Sequence, residues 1–326
     1  MLGGLLSLLS ALTFAFNNAG IRRGVLGGTV AQAMAVSVPV GIPIFVLPML
    51  VSGATDALLA FSARDVWLLS IAGVVHFAWA RYCNYRATKA IGANLVGPLQ
   101  QLSLILTLVL AVLVLGETLT LLRIIGIALV ALGPWLTLES KSHPSMAFLG
   151  KDHEYRARMM EGYLYSMLSA VGFGISPILI RMGLREQTIP AGIAGGLVSY
   201  AAATVPIVLL WLVPGQWRHV RATQRESAKW FVISGIAVCI SQMFRYMALA
   251  IAPASVVTPI QRLSIVFRIY FGRAMNKDHE AFGGRVISGT VISLIGAVAL
   301  SVSTQTVLDL VPLPPWLVAL AMWHWP

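Results

Sequence analysis

The sequence predicts an all-α polytopic membrane protein: ten transmembrane helices arranged as two inverted five-helix repeats. Three observations carry this. Of 326 residues, 58% are hydrophobic and 11% charged, against about 25% charged in soluble domains, and the mean hydropathy is +0.82. Apolar stretches such as 93–115 carry no charge at all, and 18 or more such residues suffice to cross a hydrocarbon core of about 30 Å. The third is an internal duplication. Displacing the chain by 161 residues lays Tyr85 on Tyr246, Pro98 on Pro259, Gln100 on Gln261 and Ser103 on Ser264. A displacement of 163 lays Glu117 on Glu280, Gly126 on Gly289 and Gly133 on Gly296.

Taken in order, the expected spans are 2–20, 29–51, 66–88, 93–115, 121–138, 162–182, 190–213, 230–250, 253–274 and 284–304. The first is not read as a cleaved signal, because it has no basic start and has a counterpart later in the chain. At a displacement of 159, Ser7 falls on Ser166, Ser10-Ala11 on Ser169-Ala170, Phe14 on Phe173 and Arg22 on Arg181. The fourth and fifth spans join through the charged hinge Gly116-Glu117-Thr118; Glu117 and Glu280 suit turn or cap roles there. Gly126/Gly133 and Gly289/Gly296 recur two turns apart on one face and predict close helix packing. Pro98, Pro177 and Pro259 free carbonyls and permit kinks.

Residues 139–161 form the one long polar stretch and are read as a linker between 1–138 and 162–304. Five spans per half is odd, so the halves enter the membrane from opposite sides, as in many secondary transporters, whose site lies near midplane between the repeats. The tail, 305–326, holds Trp316, Trp323 and Trp325; it is too short to span and is read as interfacial.

An apolar helix with an internal proline, a Gly116-Glu117-Thr118-Leu119-Thr120 hinge and a glycine-spaced following helix, occurring twice, resembles the drug/metabolite transporter superfamily, and within it the EamA-like ten-helix transporters. The second hinge, Asn276-Lys277-Asp278-His279-Glu280, departs from the pattern. The resemblance spans nearly the whole chain and implies a permease carrying a small metabolite. The superfamily ranges from exporters of amino acids and toxic compounds to carriers of sugars and phosphorylated sugars.

The net charge of +11 would suggest nucleic acid in a soluble protein. Here it lies in short loops, so topology accounts for it and no nucleic acid is expected. Loops after spans 1, 3, 5, 7 and 9 hold 15 of the 23 Lys and Arg, the other loops hold four (Arg64, Arg123, Arg181, Arg185), and four lie within spans. The positive-inside rule then puts the odd loops in the cytoplasm and both termini outside; the resembled family usually has both termini inside. Cys83 and Cys239 fall within apolar spans and are read as buried structural thiols.

Charges inside a span cost about 2.5–3.5 kcal/mol each on insertion scales. Arg81, Arg245, Arg262 and Arg268 are those four. Arg245 and Arg268 lie near enough to span ends for snorkelling to account for them. Arg81 is intermediate, and Arg262 is the deepest. Displacement by 161 lays Arg81 on Gln242, Asn84 on Arg245, Tyr85 on Tyr246 and Gln101 on Arg262. Arg81, Asn84, Tyr85 and Thr88 share one helix face, and Gln242, Arg245 and Tyr246 form the same face in the second half. Two such stripes are expected to line a cavity, with Gln100, Gln101, Gln261, His76 and Asn17 beside them. Interhelical hydrogen bonding alone would account for the amides but leaves the arginines unexplained.

Arginine grips carboxylate or phosphate bidentately, and no Asp or Glu lies within any expected span. The expected solute is therefore anionic or zwitterionic. His76 is the one mid-span titratable candidate, and a core histidine beside cations is disfavoured from charging. Exchange or facilitated movement thus fits at least as well as proton coupling. No HExxH pair, G-x-S-x-G elbow, carboxylate pair or Walker loop is present, which argues against an enzyme or an ATP-driven pump. No metal and no cofactor is expected. A membrane-embedded enzyme and a non-transporting receptor or scaffold remain the competing readings. Expected partners are the bilayer of the cell (inner) membrane and the solute, with homodimer formation open.

Overall fold

The computed structural model describes residues 2–116, 119–122, 124–126, 128–129, 132, 152–184, 188–276, 284–301 and the single positions 314, 316, 318, 324 and 325. The chain begins with α1 (Leu2–Gly27), α2 (Val30–Ser37), α3 (Gly41–Val51) and the short α4 (Thr55–Leu59). There follow α5 (Ala63–Ile91), α6 (Ala93–Gln100) and α7 (Leu102–Leu115). Next come α8 (Asp152–Gly183), α9 (Ile189–Trp211), the short α10 (Gln216–Arg221), α11 (Arg225–Ile251), α12 (Ala254–Arg262), α13 (Ser264–Asn276) and α14 (Gly284–Ser301). A two-residue antiparallel pairing sets Leu119 opposite Trp325 and Thr120 opposite His324.

Local chemistry sets many of these boundaries. Thr29 with Gln32, and Ser62 with Asp65, close capping boxes that start α2 and α5. Thr188 caps α9, whose second residue is Pro190. Pro39 and Pro43 cannot donate to the preceding turn, and the helix breaks there between α2 and α3. Within α5, residues Val74–Ala80 widen into a π-helical segment, a feature concentrated at functional sites. The fourth and ninth expected spans are each broken, at Gln101 and Leu263, a few residues past Pro98 and Pro259.

Seven described helices are long and apolar enough to cross a membrane: Leu2–Gly27, Val30–Val51, Ala63–Ile91, Ala93–Leu115, Arg158–Gly183, Ile189–Trp211 and Arg225–Ile251. They match seven of the ten expected spans. The fifth, 121–138, lies largely outside the described residues, as do Glu117, Glu280, the linker residues 139–151 and most of the tail. The ninth corresponds to α12 and α13, which carry Arg262, Arg268 and Arg273 and are not among the seven. The tenth is α14, whose apolar part is Ile287–Gly296. Residues 152–161, read as part of the polar linker, are helical and continue into α8, which begins at Asp152.

The molecule is apolar outside and mixed inside. Leu47, Leu50, Val51, Leu113, Leu209 and Leu212 are exposed, while Asn17, Asn18, Asn84, Gln100, Gln242 and Arg245 are buried. That is the distribution a hydrocarbon solvent imposes, since each polar group must be satisfied internally. α1 packs chiefly on α11 and α13, and α8 on α5 and α7. Two close approaches mirror one another: a Cβ on Gly73 would meet the Ser199 carbonyl oxygen at 2.0 Å, and one on Gly235 would meet Ser37 Cα at 3.1 Å. Gly73 and Gly235 are 162 residues apart, as are Ser37 and Ser199.

Candidate functional site

Four helices, α1, α5, α8 and α11, converge on a narrow gap lined by Phe14, Asn17, His76, Arg81, Asn84, Tyr85, Phe173, Val238 and Gln242. It is too narrow to hold a water-sized sphere. Six of the twelve residues singled out in the sequence line it: Asn17, His76, Arg81, Asn84, Tyr85 and Gln242. Their periodicity explains the convergence. Arg81, Asn84 and Tyr85 follow the π-helical segment and share one face of α5.

Arg81 donates to the Ser37 carbonyl at 3.2 Å and to the Tyr200 hydroxyl at 2.7 Å, and lies 5.0 Å over the Phe77 ring. Arg245 reaches both ring nitrogens of His76 at 3.0 Å, Gln242 Oε1 at 3.2 Å and Ser176 Oγ at 3.2 Å. His76 Nδ1 is itself 2.7 Å from Ser176 Oγ. His76 is within electrostatic reach of Arg245, Arg81 and Arg262.

A second group of contacts lies alongside. Gln100 Nε2 donates to Asn84 Oδ1 at 2.6 Å and Ser169 Oγ at 3.4 Å, while its Oε1 accepts from Arg268 at 3.3 Å. Asn84 Nδ2 reaches Asn18 Oδ1 at 3.4 Å, and Tyr85 Oη reaches Asn17 Oδ1 at 3.5 Å. Gln261 donates to Ser10 Oγ at 2.9 Å. Tyr246 is fully buried. Arg262 is buried, and among the described residues its Nε has no hydrogen-bond partner. Asn17 Nδ2 and Gln101 Oε1 are likewise unpartnered there.

Two expectations are corrected. Arg245 and Arg268 do not snorkel; both are buried and bonded within the bundle, because α11 and α13 present these positions to other helices. Arg22 and Arg181, assigned to loops by the charge count, lie within α1 and α8. Arg22 donates to the carbonyls of Thr88 and Lys89, and Arg181 to those of Leu249 and Ala250. Each closes the carboxyl end of a neighbouring helix, where cations are favoured.

Other contributors were not singled out as site residues. Phe14 and Phe173, 159 residues apart in sequence, meet edge to face with centroids 6.4 Å apart. Their correspondence was visible in the duplication. Tyr200 was not, since Val38 occupies the related position 162 residues earlier. Cys83 and Cys239 are both buried free thiols, and no group of His, Cys, Asp and Glu suited to a metal occurs among the described residues.

Against known families, residues 1–138 match the EamA-like transporter family. That family is part of the drug/metabolite transporter superfamily, and the match covers 138 of the 326 residues. With the seven helices long and apolar enough to span, that match makes the chain an integral multi-pass membrane protein. A crystal structure described simply as that of a protein resembles it at 16% identity with a TM-score of 0.58, covering 91% of this chain and 95% of the other. That likeness is one of fold alone. No curated protein matches the chain significantly. Of the gap-lining residues, Phe14, Asn17, His76, Arg81, Asn84 and Tyr85 fall in the EamA-like segment; Phe173, Val238 and Gln242 come from the rest of the chain.

Proposed function

We propose that the protein is a secondary transporter of the cell (inner) membrane that moves a small anionic or zwitterionic metabolite by alternating access. In this reading ten helices form two inverted five-helix repeats, and the odd loops face the cytoplasm by their charge. Residues lining the solute path are Asn17, His76, Arg81, Asn84, Tyr85, Gln100, Gln101, Gln242, Arg245, Tyr246, Gln261 and Arg262. Support for the repeat comes from contacts that recur in pairs. Arg22 caps the end of α5 as Arg181 caps that of α11; Gln100 bonds Ser169 as Gln261 bonds Ser10.

The observation that carries the solute class is Arg262. Among the described residues its Nε has no hydrogen-bond partner, and it lies within electrostatic reach of two more arginines, Arg245 and Arg268, a like-charged cluster that is costly to bury without a counter-ion. No carboxylate within an expected span neutralises them. An anion entering the cluster supplies the missing counter-charge, and Asn17 Nδ2 offers it a further unpartnered donor. The narrow gap corresponds to a closed state, which must widen between α1, α5, α8 and α11 to admit a solute. No Asp or Glu lies within an expected span, so exchange or facilitated movement fits at least as well as proton coupling.

The test is a thermal-stabilisation screen of the detergent-purified protein with anionic, zwitterionic, neutral and cationic metabolites, alongside Arg262→Gln. Stabilisation by an anionic or zwitterionic class that disappears in the variant is expected. Stabilisation by neutral or cationic compounds, unchanged in the variant, would overturn the reading. Flux of the stabilising solute into proteoliposomes separates a transporter from a receptor or an enzyme.

A further inference from the structure

Two recesses on the outer surface adjoin one another at Ala31 and Tyr82, far from the arginine cluster in character. The first is an apolar groove of about 370 Å³ between α2, α5 and α9, walled by Met34, Val74, Ala78, Trp79, Ile207 and Trp211. The second is a polar recess of about 500 Å³ where α2 begins, α5 ends and α8 passes, lined by Tyr82, Arg86, Lys89, Arg158 and Glu161. Both volumes fall in the range of ligand sites.

We infer that the joined recesses bind one anionic phospholipid, its acyl chain in the groove and its phosphate at Arg86, Lys89 and Arg158. The groove opens towards hydrocarbon, since Val74, Trp79 and Leu210 on its rim are exposed. Val74 and Arg86 are twelve residues apart on α5, about 18 Å along a helix, against about 15 Å for the hydrocarbon of one leaflet. The charge is complementary: among the described residues lining the recess, Arg86, Lys89 and Arg158 stand beside one carboxylate, Glu161. Arg86 is oriented by Glu161 at 2.6 Å, by Tyr82 at 2.9 Å and by the Tyr165 ring 4.7 Å away. Lys89 donates to the Gly28 carbonyl at 2.8 Å, which holds it at the rim.

A further observation fits the intervening part of a lipid. Trp211 ends α9 at the groove's mouth, and its Nε1–H is buried without an acceptor among the described residues. An ester carbonyl is the acceptor that such a donor lacks. Trp217 packs on Trp211 with centroids 5.3 Å apart, and Arg221 lies 5.0 Å over Trp217, the aromatic and basic chemistry of a headgroup boundary. Polybasic groups attract anionic lipid by roughly a factor of five per cation.

The experiment uses the full-length protein in detergent, with phosphatidylglycerol and phosphatidylcholine of identical chains added in parallel. Thermal unfolding and native mass spectrometry are read for each. Phosphatidylglycerol is expected to bind and to raise the unfolding midpoint more than phosphatidylcholine, and glycerol 3-phosphate is expected to do neither. The double variant Arg86→Gln/Lys89→Gln should lose about 25-fold in phosphatidylglycerol affinity. Ala78→Phe, which fills the groove and leaves the cations in place, should abolish binding of both lipids. Equal effects of the two lipids, binding that survives in both variants, an equal shift with glycerol 3-phosphate, or a lipid-free dimer seated on the groove would each overturn the inference. None of these readouts involves the transported solute, so the result stands apart from the arginine site.

Discussion

A guanidinium in a membrane interior is held by whatever surrounds it, and the four buried arginines differ in that respect. Arg81 has a carbonyl, a hydroxyl and an aromatic face; Arg245 has His76, Gln242 and Ser176; Arg268 has a carbonyl and Gln100. Arg262 has no partner at Nε among the described residues and lies within electrostatic reach of both Arg245 and Arg268. Substitutions should therefore act in opposite directions on the solute-free protein. Arg245→Gln is expected to destabilise by about 1–3 kcal/mol, because His76 and Ser176 lose a donor. Arg262→Gln is expected to stabilise by about 1 kcal/mol, because a charge that repels Arg245 and Arg268 is removed. Thermal unfolding without solute measures both. A lower midpoint for Arg262→Gln would mean that the guanidinium is satisfied after all. Sequence depth ranked Arg262 first for function, and that ranking rested on the cost of burial. It misjudged Arg245 and Arg268, because distance from a helix end says nothing about which neighbour the side chain faces.

At the scale of elements, the close approaches at Gly73 and Gly235 govern how α5 and α11 meet the α9 and α2 segments. The Gly73 approach is to backbone and leaves no room for a methyl group. Gly73→Ala should therefore cost more than Gly235→Ala, where the nearest atom is 3.1 Å away; overpacking of this kind costs about 1–3 kcal/mol. Equal unfolding midpoints for the two variants would contradict the geometry. The arginine caps offer a matched pair: Arg22→Gln and Arg181→Gln should each destabilise by about 0.3–1 kcal/mol, and by similar amounts, since each closes a helix through two carbonyls. Helix existence was largely legible, because long uncharged runs have one stable form in hydrocarbon. Helix interruptions were legible in part: Pro98 and Pro259 precede the breaks at Gln101 and Leu263, whereas the π-helical turn at Val74–Ala80 has no proline or periodic mark in the chain.

For the whole molecule, orientation is the open property with the simplest measurement. The odd loops carry most of the surface cations, so a cysteine at Ser145 should be labelled by a membrane-impermeant thiol reagent only after the cells are opened. One at Ala60 should be labelled in intact cells. The reverse pattern would put both termini in the cytoplasm and leave the charge bias to another cause. The native thiols do not interfere, because Cys83 and Cys239 are buried. Closure is also a property of the whole: Phe14 and Phe173 come from α1 and α8 and meet edge to face. Phe14→Ala with Phe173→Ala should raise uncoupled leak of a stabilising solute through proteoliposomes.

Composition and uncharged runs were sufficient to determine a helical membrane protein, and the duplication was sufficient to point to corresponding polar stripes, because hydrocarbon leaves few alternatives to helices and makes every buried charge conspicuous. The hinge and glycine spacing identified the EamA-like resemblance, which the family match over residues 1–138 bears out. The tertiary structure alone decided which polar groups are partnered. It joined His76 to Arg245 and Ser176, brought in Tyr200 from a position without a counterpart, and left Arg262 without a partner at Nε among the described residues. The reason is physical: burial cost is set by residue type and depth, which a sequence carries, whereas compensation depends on contacts between residues more than a hundred positions apart, which only packing creates.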